Sequence, residues 1–194
     1  MEQSLPMPEL SDVELALLHD VRLRGIVKVQ GAGFGRLETL GLVATRGDFV
    51  ALTADGRASH AIWARFKDGS AAHEAAVGLF NGFDELNREL LSVCTAWQVR
   101  VGGVQNDHSD VAYDWQVIRR LERLHERSAP RIRRLARDAP RFMTYDSTFR
   151  FALKNVVDDG AVEWFTSPSI DSFHTLWNRL HEDLLLALGI ERES

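Results

Sequence analysis

Apolar residues in the first third of the chain follow a pattern that predicts a short helix followed by a hairpin. A helical run over residues 34–40 ends at Gly41, which can adopt a positive φ and so terminate the helix. Two runs rich in β-branched and apolar residues, 42–45 and 49–53, predict short strands. Between them Arg46-Gly47-Asp48 supplies a turn, with glycine where the backbone reverses.

The surroundings of the hairpin are typical of a winged-helix module. Thr53 can cap the next helix, along which apolar side chains recur at four-residue spacing, and residues 26–30 predict a strand that joins the hairpin. Only about sixteen residues separate Ile26 from Gly41, whereas a helix-turn-helix needs two helices of roughly eight and ten residues with a turn between them. We therefore expect a winged helix with a shortened helix-turn-helix.

Beyond residue 68 the apolar spacing of three and four residues predicts helices only. Ser70 can cap a long helix that Gly78 and Gly82 weaken, so a kink or break is expected there. A second helix is predicted from the Asp110 cap to near Arg127. A short basic helix is then expected between Pro130 and Pro140.

Two more helices complete the predicted fold, one over residues 147–157 and one from Ser167-Pro168-Ser169 to Gly189. The second has a continuous apolar stripe and a glycine C-cap, which is typical of a core helix. The pattern as a whole predicts a mainly α protein. It has a winged-helix-like module with a β-hairpin over residues 1–68, followed by an α-helical bundle domain over residues 69–194.

The charge balance of the predicted winged-helix module bears on whether it can bind DNA. The chain carries a formal net charge of −5, and residues 1–67 hold eight Lys/Arg against eight Asp/Glu. DNA-binding domains usually show a basic excess, because phosphate neutralisation supplies most of the non-specific affinity. Basic side chains that converge on one face would compensate for the neutral charge of this module. The alternative is that they are ordinary solvated surface residues. The candidates for phosphate contact are Lys28, Arg36, Arg46 and Arg57.

A second set of polar residues suggests a ligand pocket. His174 and His181 lie on one face of the last helix, but seven residues place them about 10.5 Å apart, too far for a zinc pair without a third ligand. The loop ending at Asp110 offers His108, and an aromatic wall could come from Trp97. The candidate ligand-binding residues are Trp97, His108, Asp110, His174 and His181, with hydrogen bonding inside the bundle as the alternative.

Other sequence features limit the possible functions. Cys94 is the only cysteine and lies in an apolar helical pattern, which predicts a buried, inert thiol. No apolar run reaches the length of a membrane span and no signal sequence is recognisable, so a cytoplasmic protein is expected. The sequence contains no GK[ST] loop, GxSxG or HExxH motif, and Gly31-Ala32-Gly33-Phe34-Gly35 departs from a dinucleotide loop. We expect neither enzymatic activity nor a metal or cofactor.

Three segments carry a resemblance to a known family: CTAWQVR from Cys94, NDHSDVAYD from Asn106, and SPSIDSFHTLWNRLHEDLLLALGIER from Ser167. Together with LLHDVRLRGIV and LTADGRASH, they resemble the C-terminal region of actinobacterial pyruvate phosphate dikinase-like, or phosphoenolpyruvate-utilising, proteins. The chain has no room for the catalytic domains of those enzymes and lacks a TSHA-type histidine sequence. The resemblance therefore implies an accessory or regulatory module without a catalytic residue to carry over.

Two functional classes follow. The first is a winged-helix regulator that contacts duplex DNA and uses its helical domain for homodimerisation or for binding a small-molecule effector. The second is a ligand-sensing accessory module that does not bind DNA. Neither class involves a membrane.

Overall fold

The structure is a computed structural model that describes residues 9–29, 33–158 and 160–191. It is mainly helical with a small antiparallel sheet, as the apolar pattern predicts. The strands are β1 (Ile26–Lys28), β2 (Val43–Arg46) and β3 (Phe49–Leu52). The helices are α1 (Asp12–Arg24), α2 (Gly35–Thr39), α3 (Ala54–Ala64), α4 (Ala71–Phe80), α5 (Phe83–Gln98), α6 (Val111–Asp138), α7 (Met143–Asp158), α8 (Glu163–Thr166) and α9 (Phe173–Leu188), with a 3-10 turn at Pro140–Phe142.

Two compact units make up the chain. One comprises Met1–Lys67 together with Glu182–Ser194, and the other comprises Asp68–His181. The first boundary lies one residue from the expected one, but residues 182–194 group with the N-terminal unit and not with the helical unit. Helix α9 therefore begins in one unit and ends in the other.

The N-terminal unit is built around the three-stranded sheet, whose order is β1-β3-β2 with both pairings antiparallel. Its buried face contributes Val43, Val50 and Leu52 to a core that α1 and α2 complete through Leu18 and Leu37. The three expected strands are confirmed, but the first is shorter than residues 26–30: it ends at Lys28, Val29 is not part of it, and Gln30 lies outside the described residues. The short helix expected over residues 34–40 is also confirmed and has five residues, Gly35–Thr39.

The predicted break in the long helix of the second unit is confirmed between α4 and α5. A Cβ atom added at Gly82 would lie 2.3 Å from the Arg131 guanidinium, so a larger residue there would displace that side chain. The predicted interruption at Pro130 is wrong, because α6 continues through it to Asp138. Pro130 lies on the exposed side, while Ile132 and Leu135 continue the buried stripe, and their burial outweighs the hydrogen bond that proline removes.

The last helix starts later than predicted. Ser167-Pro168-Ser169 does not open it; Ser172 does, since its hydroxyl accepts the Thr175 amide at 3.3 Å. Helix α8, at Glu163–Thr166, lies just before Ser167, and the apolar pattern did not predict it. Cys94 is buried as expected, and burial raises the pKa of its thiol to about 12.

Candidate functional site

A compact loop between α5 and α6 positions the polar residues at the centre of the candidate site. Gly102 and Gly103 both have positive φ and turn the chain back, so that Val99 pairs with Gln105 in a β-bridge. The Asn106 amide then donates to the Gln98 carbonyl at 2.8 Å. This brings the segment after Asn106 alongside the C-terminal end of α5.

Asp114, in the first turn of α6, organises the polar side chains of this loop. Its Oδ1 accepts from Asn106 Nδ2 at 2.7 Å, and its Oδ2 lies 2.9 Å from His108 Nδ1. Asn106 Nδ2 also donates to the Trp97 carbonyl at 3.0 Å. Asn106 and Asp114 are 4% and 9% exposed, so each hydrogen bond replaces one that water would otherwise make.

The hydrogen-bond pattern assigns the His108 tautomer. An ionised carboxylate only accepts, so the contact with Asp114 requires the proton on Nδ1 of His108. The 3.2 Å approach of Asn106 Nδ2 to the same Nδ1 then joins two donors and contributes no hydrogen bond. Nε2 is then an acceptor when the ring is neutral and a second donor when it is protonated, and no described residue forms a hydrogen bond with it.

His108 also has an unusual backbone conformation. Its φ of 58° makes it the sole non-glycine residue with positive φ in the described part of the chain. This left-handed conformation costs about 1–2 kcal/mol for a residue with a side chain. Residues held in such conformations cluster at active sites and ligand-binding sites, so His108 is a candidate functional residue.

Aromatic rings complete one side of the loop. The Trp97 ring stacks on Phe165 with centroids 4.4 Å apart and an interplanar angle of 10°. His108 packs against Trp97 at 4.4 Å with an angle of 43°. Trp97 and Phe165 are buried, so the imidazole rests on a rigid apolar support.

A cavity of about 230 Å³ opens beside His108. Its lining includes amides, hydroxyls, a carboxylate and one imidazole. The lining residues are Trp97, Gln98, Gln105, Asn106, His108, Val162, Glu163, Thr166 and Ser167. These groups offer several hydrogen bonds within a small volume, and Glu163 favours a ligand with donor groups or positive charge.

The structure brings together two of the five residues expected to bind a ligand. Trp97 and His108 touch each other and line the cavity, whereas Asp110, His174 and His181 are absent from its lining. Asp110 caps α6 by accepting the Tyr113 amide at 3.1 Å, and this bond, followed by that from Arg100, lowers the pKa of its carboxyl. His174 is half-buried, which lowers its pKa, and His181 stacks on Phe83 at 4.6 Å.

Two of the four residues expected to contact phosphate are engaged within the protein. Arg36 donates to Glu14 Oε2 at 2.6 Å and to the Glu9 carbonyl at 2.8 Å. Arg57 donates to the Leu52 carbonyl at 2.8 Å.

The other two phosphate candidates lie on the exposed face of the sheet. Lys28 and Arg46 are both in register with Phe49, one on each side of it. All three are exposed, and Phe49 retains 52% of its surface.

Sequence reasoning missed Asn106, Asp114 and Glu163 as site residues. Asn106 and Asp114 lie within the segment NDHSDVAYD, which carried the resemblance, but no spacing rule indicates that they share a proton network with His108. Glu163 lies in the unpredicted α8 and had no signal in the sequence.

Sequence reasoning also missed a buried cluster in the N-terminal unit. His19 Nδ1 lies 2.9 Å from His60 Nε2, and His19 Nε2 lies 3.2 Å from Asp183 Oδ2. The ring of Trp63 packs against both histidines. Among the residues that the structure describes, no group of histidine, cysteine and carboxylate side chains has a metal-binding arrangement.

A larger groove, of about 480 Å³, lies in the N-terminal unit. Two of its charged lining residues, Arg22 and Glu182, neutralise each other in an ion pair of 2.7 Å. The cavity beside His108 is smaller, but it combines a buried polar network with a strained residue, so it is the stronger candidate site.

Comparison with known proteins adds no assignment, since no protein-family model, no curated protein and no solved structure matches this chain. Within the described ranges, none of the helices has the length and apolar character needed to cross a membrane.

Proposed function

We propose that this chain is a regulatory protein whose helical unit binds a small polar molecule in the cavity beside His108. The observation that carries the proposal is the fixed imidazole: Asp114 holds Nδ1, Trp97 supports the ring, and the backbone is strained to place it there. Nε2 is thereby available to a ligand. The resemblance to an accessory region of phosphoenolpyruvate-utilising proteins supports a regulatory role over a catalytic one.

The cavity favours a particular class of ligand. At about 230 Å³ it is smaller than the roughly 300–1,000 Å³ typical of sites for drug-sized molecules. Glu163 supplies negative charge and Thr166 and Ser167 supply hydroxyls, while Trp97 and Val162 add apolar surface. A small polyol, sugar or amino alcohol fits these groups better than an anion does.

Calorimetric titration with glycerol, ribose and ethanolamine tests this proposal. We expect saturable binding by at least one of these probes and a tenfold or greater loss of affinity in the variant His108→Asn, which corresponds to about 1.4 kcal/mol. Asparagine tolerates the left-handed backbone, so the change removes the imidazole without adding strain. His73→Ala, a histidine outside the cavity lining, is the matched control.

Two results would contradict the proposal. One is the absence of saturable binding by all three probes at millimolar concentration. The other is equal affinity in wild type and His108→Asn.

A second function, binding of duplex DNA by the N-terminal unit as a winged-helix module, is favoured by the sheet. In winged helices the first strand pairs with the last strand of the hairpin, and the order β1-β3-β2 has this connectivity. Lys28 and Arg46 flank Phe49 on its exposed face, where they could contact phosphates. The five residues of α2 are too few for a recognition helix, so contact would come from the sheet and hairpin.

Fluorescence anisotropy with a mixed-sequence duplex tests this second function. The double variant Lys28→Gln/Arg46→Gln should weaken binding several-fold and lower its salt dependence, because each phosphate contact contributes about 0.9 to the logarithmic salt slope. Arg88→Gln, an exposed arginine of α5, is the control. Unchanged binding by the double variant would exclude the sheet as the contact surface.

A further inference from the structure

Positive charge is concentrated in one segment of an otherwise acidic protein. Residues 119–141 contain nine arginines and no lysine, against three carboxylates, which gives the segment a net charge of +6. The whole chain nevertheless carries −5. The segment coincides with most of α6 and the turn that follows it.

The eight arginines of α6 differ in their contacts. Arg120 donates to the Ser92 hydroxyl at 3.0 Å, and the Arg131 guanidinium lies against Gly82. Arg127 pairs with Glu89 at 2.6 Å, and Arg133 pairs with Asp146 at 3.1 Å. Arg119, Arg123, Arg134 and Arg137 are exposed, and none of them has an ion-pair partner among the residues the structure describes.

These four unpaired residues share one side of the helix. At 100° per residue they fall within an arc of about 60°, and at 1.5 Å per residue they extend over about 27 Å. The opposite side of α6 is buried along its length and includes Leu121, Leu124, Ile132 and Leu135. We call Arg119, Arg123, Arg134 and Arg137 the arginine face.

We propose that the arginine face binds the phosphate backbone of duplex nucleic acid. A duplex presents one phosphate per 1.7 Å of its axis, on the order of sixteen over 27 Å, so each of the four guanidinium groups has a phosphate within reach, although the exposed Glu126 lies beside them on the helix. Exclusive use of arginine fits this partner, because the planar guanidinium binds phosphate oxygens in a bidentate manner.

The composition of the face favours nucleic acid over a lipid surface. Helices that bind membranes bury an apolar face between their cations. The exposed large apolar residues of α6 are Val111 and Trp115, which lie in its first two turns before the arginine face begins at Arg119, and Met143 opens α7. The face therefore offers charge without an apolar anchor, and contact is with the backbone and independent of base sequence.

The arginine face belongs to the helical unit and the exposed sheet belongs to the N-terminal unit, so the inference holds whether or not that sheet binds DNA. The experiment uses the full chain and a mixed-sequence 20-base-pair duplex over a series of salt concentrations. Two double variants, Arg119→Gln/Arg123→Gln and Arg134→Gln/Arg137→Gln, are compared with Arg127→Gln/Arg133→Gln. This control removes the same charge from the same helix but takes paired arginines.

Each double variant of the arginine face should weaken binding about tenfold at low salt and reduce the logarithmic salt slope by about 2. The control should lose no more than about twofold, and circular dichroism should show that all variants keep their helix content. A second duplex of scrambled sequence should bind with a similar Kd.

Several outcomes would overturn the inference: no binding by the wild type, equal losses in the control and the face variants, or binding to phosphatidylserine vesicles but not to DNA. Loss of binding in Lys28→Gln/Arg46→Gln alone would overturn it while supporting contact through the sheet. Loss of binding in the variants of the arginine face, with normal binding by Lys28→Gln/Arg46→Gln, would support the arginine face and exclude the sheet as the contact surface.

Discussion

At the scale of single residues, carboxylates decide which basic groups remain available. Glu14 engages Arg36, Asp183 engages His19, and Asp114 fixes His108 through one nitrogen only. A charge that is paired inside the protein contributes little to an outside partner, because binding must first break the internal pair. The candidate sites are therefore defined as much by the positions of carboxylates as by those of arginine and histidine.

Glu14 gives a residue-scale prediction about pH. Hydrogen bonds, first from the Arg36 guanidinium and then from the Ser11 amide and hydroxyl, lower its pKa from 4.5 to about 2. A lowered folded-state pKa contributes stability that is present above 4.5 and is lost as pH falls towards 2. Glu14→Gln keeps the capping geometry but loses the charge, so it should be less stable than wild type near pH 7.

Urea denaturation followed by circular dichroism checks this prediction. The stability difference between wild type and Glu14→Gln should shrink between about pH 4.5 and pH 2. A difference that is constant over the whole range would show that the charge of Glu14 is not responsible.

At the scale of elements, the junction of the hairpin and α3 depends on a close backbone approach. A Cβ atom at Gly56 would lie 1.8 Å from the Leu42 carbonyl oxygen, and both atoms belong to rigid structure, so relief requires movement of the backbone. Gly56→Ala should therefore destabilise the protein by at least about 1–3 kcal/mol.

Gly78→Ala is the matched control, because an added Cβ there meets nothing within 4 Å inside α4. It should be stabilising by up to about 1 kcal/mol, since alanine is the better helix former. Free energies of unfolding from chemical denaturation distinguish the two. Equal effects of the two substitutions would contradict the structural reason given for Gly56.

The sequence could predict those elements whose signals are local. The β-branched and apolar runs of the strands, the Gly41 stop and the break near Gly82 are local signals, and each is confirmed. The sequence predicts a helix boundary at Pro130 because the cost of proline inside a helix is a local signal. The burial of Ile132 and Leu135 outweighs that cost, and it depends on the packing of α6 against α4, α5 and α7. Within the candidate site, the sequence could propose Trp97 and His108 as ligand-binding residues. Only the fold shows that their rings touch and that Asp114 holds His108.

At the scale of the whole chain, α9 is the element whose role local patterns could not reveal. Its apolar stripe is continuous, so the sequence assigned the entire helix to one domain. In the structure, residues up to His181 group with the helical unit and residues from Glu182 group with the N-terminal unit. Asp183 hydrogen-bonds to His19, and the Ala187 carbonyl accepts from the Phe66 amide at 2.8 Å. Periodicity identifies a buried face but not the core to which each turn belongs.

This division leads to a prediction about Asp183. The side chain is fully buried and lies within hydrogen-bond distance of His19, and a buried polar group that loses its partner costs about 1–3 kcal/mol. Asp183→Ala should therefore reduce hydrogen-exchange protection in α1 and α3, although Asp183 lies ten residues into α9. Amides of α5 and α6 should keep their protection, and Asp171→Ala, whose partner is Arg179, serves as the control. Loss of protection confined to α5 and α6 would show that the end of α9 belongs to the helical core instead.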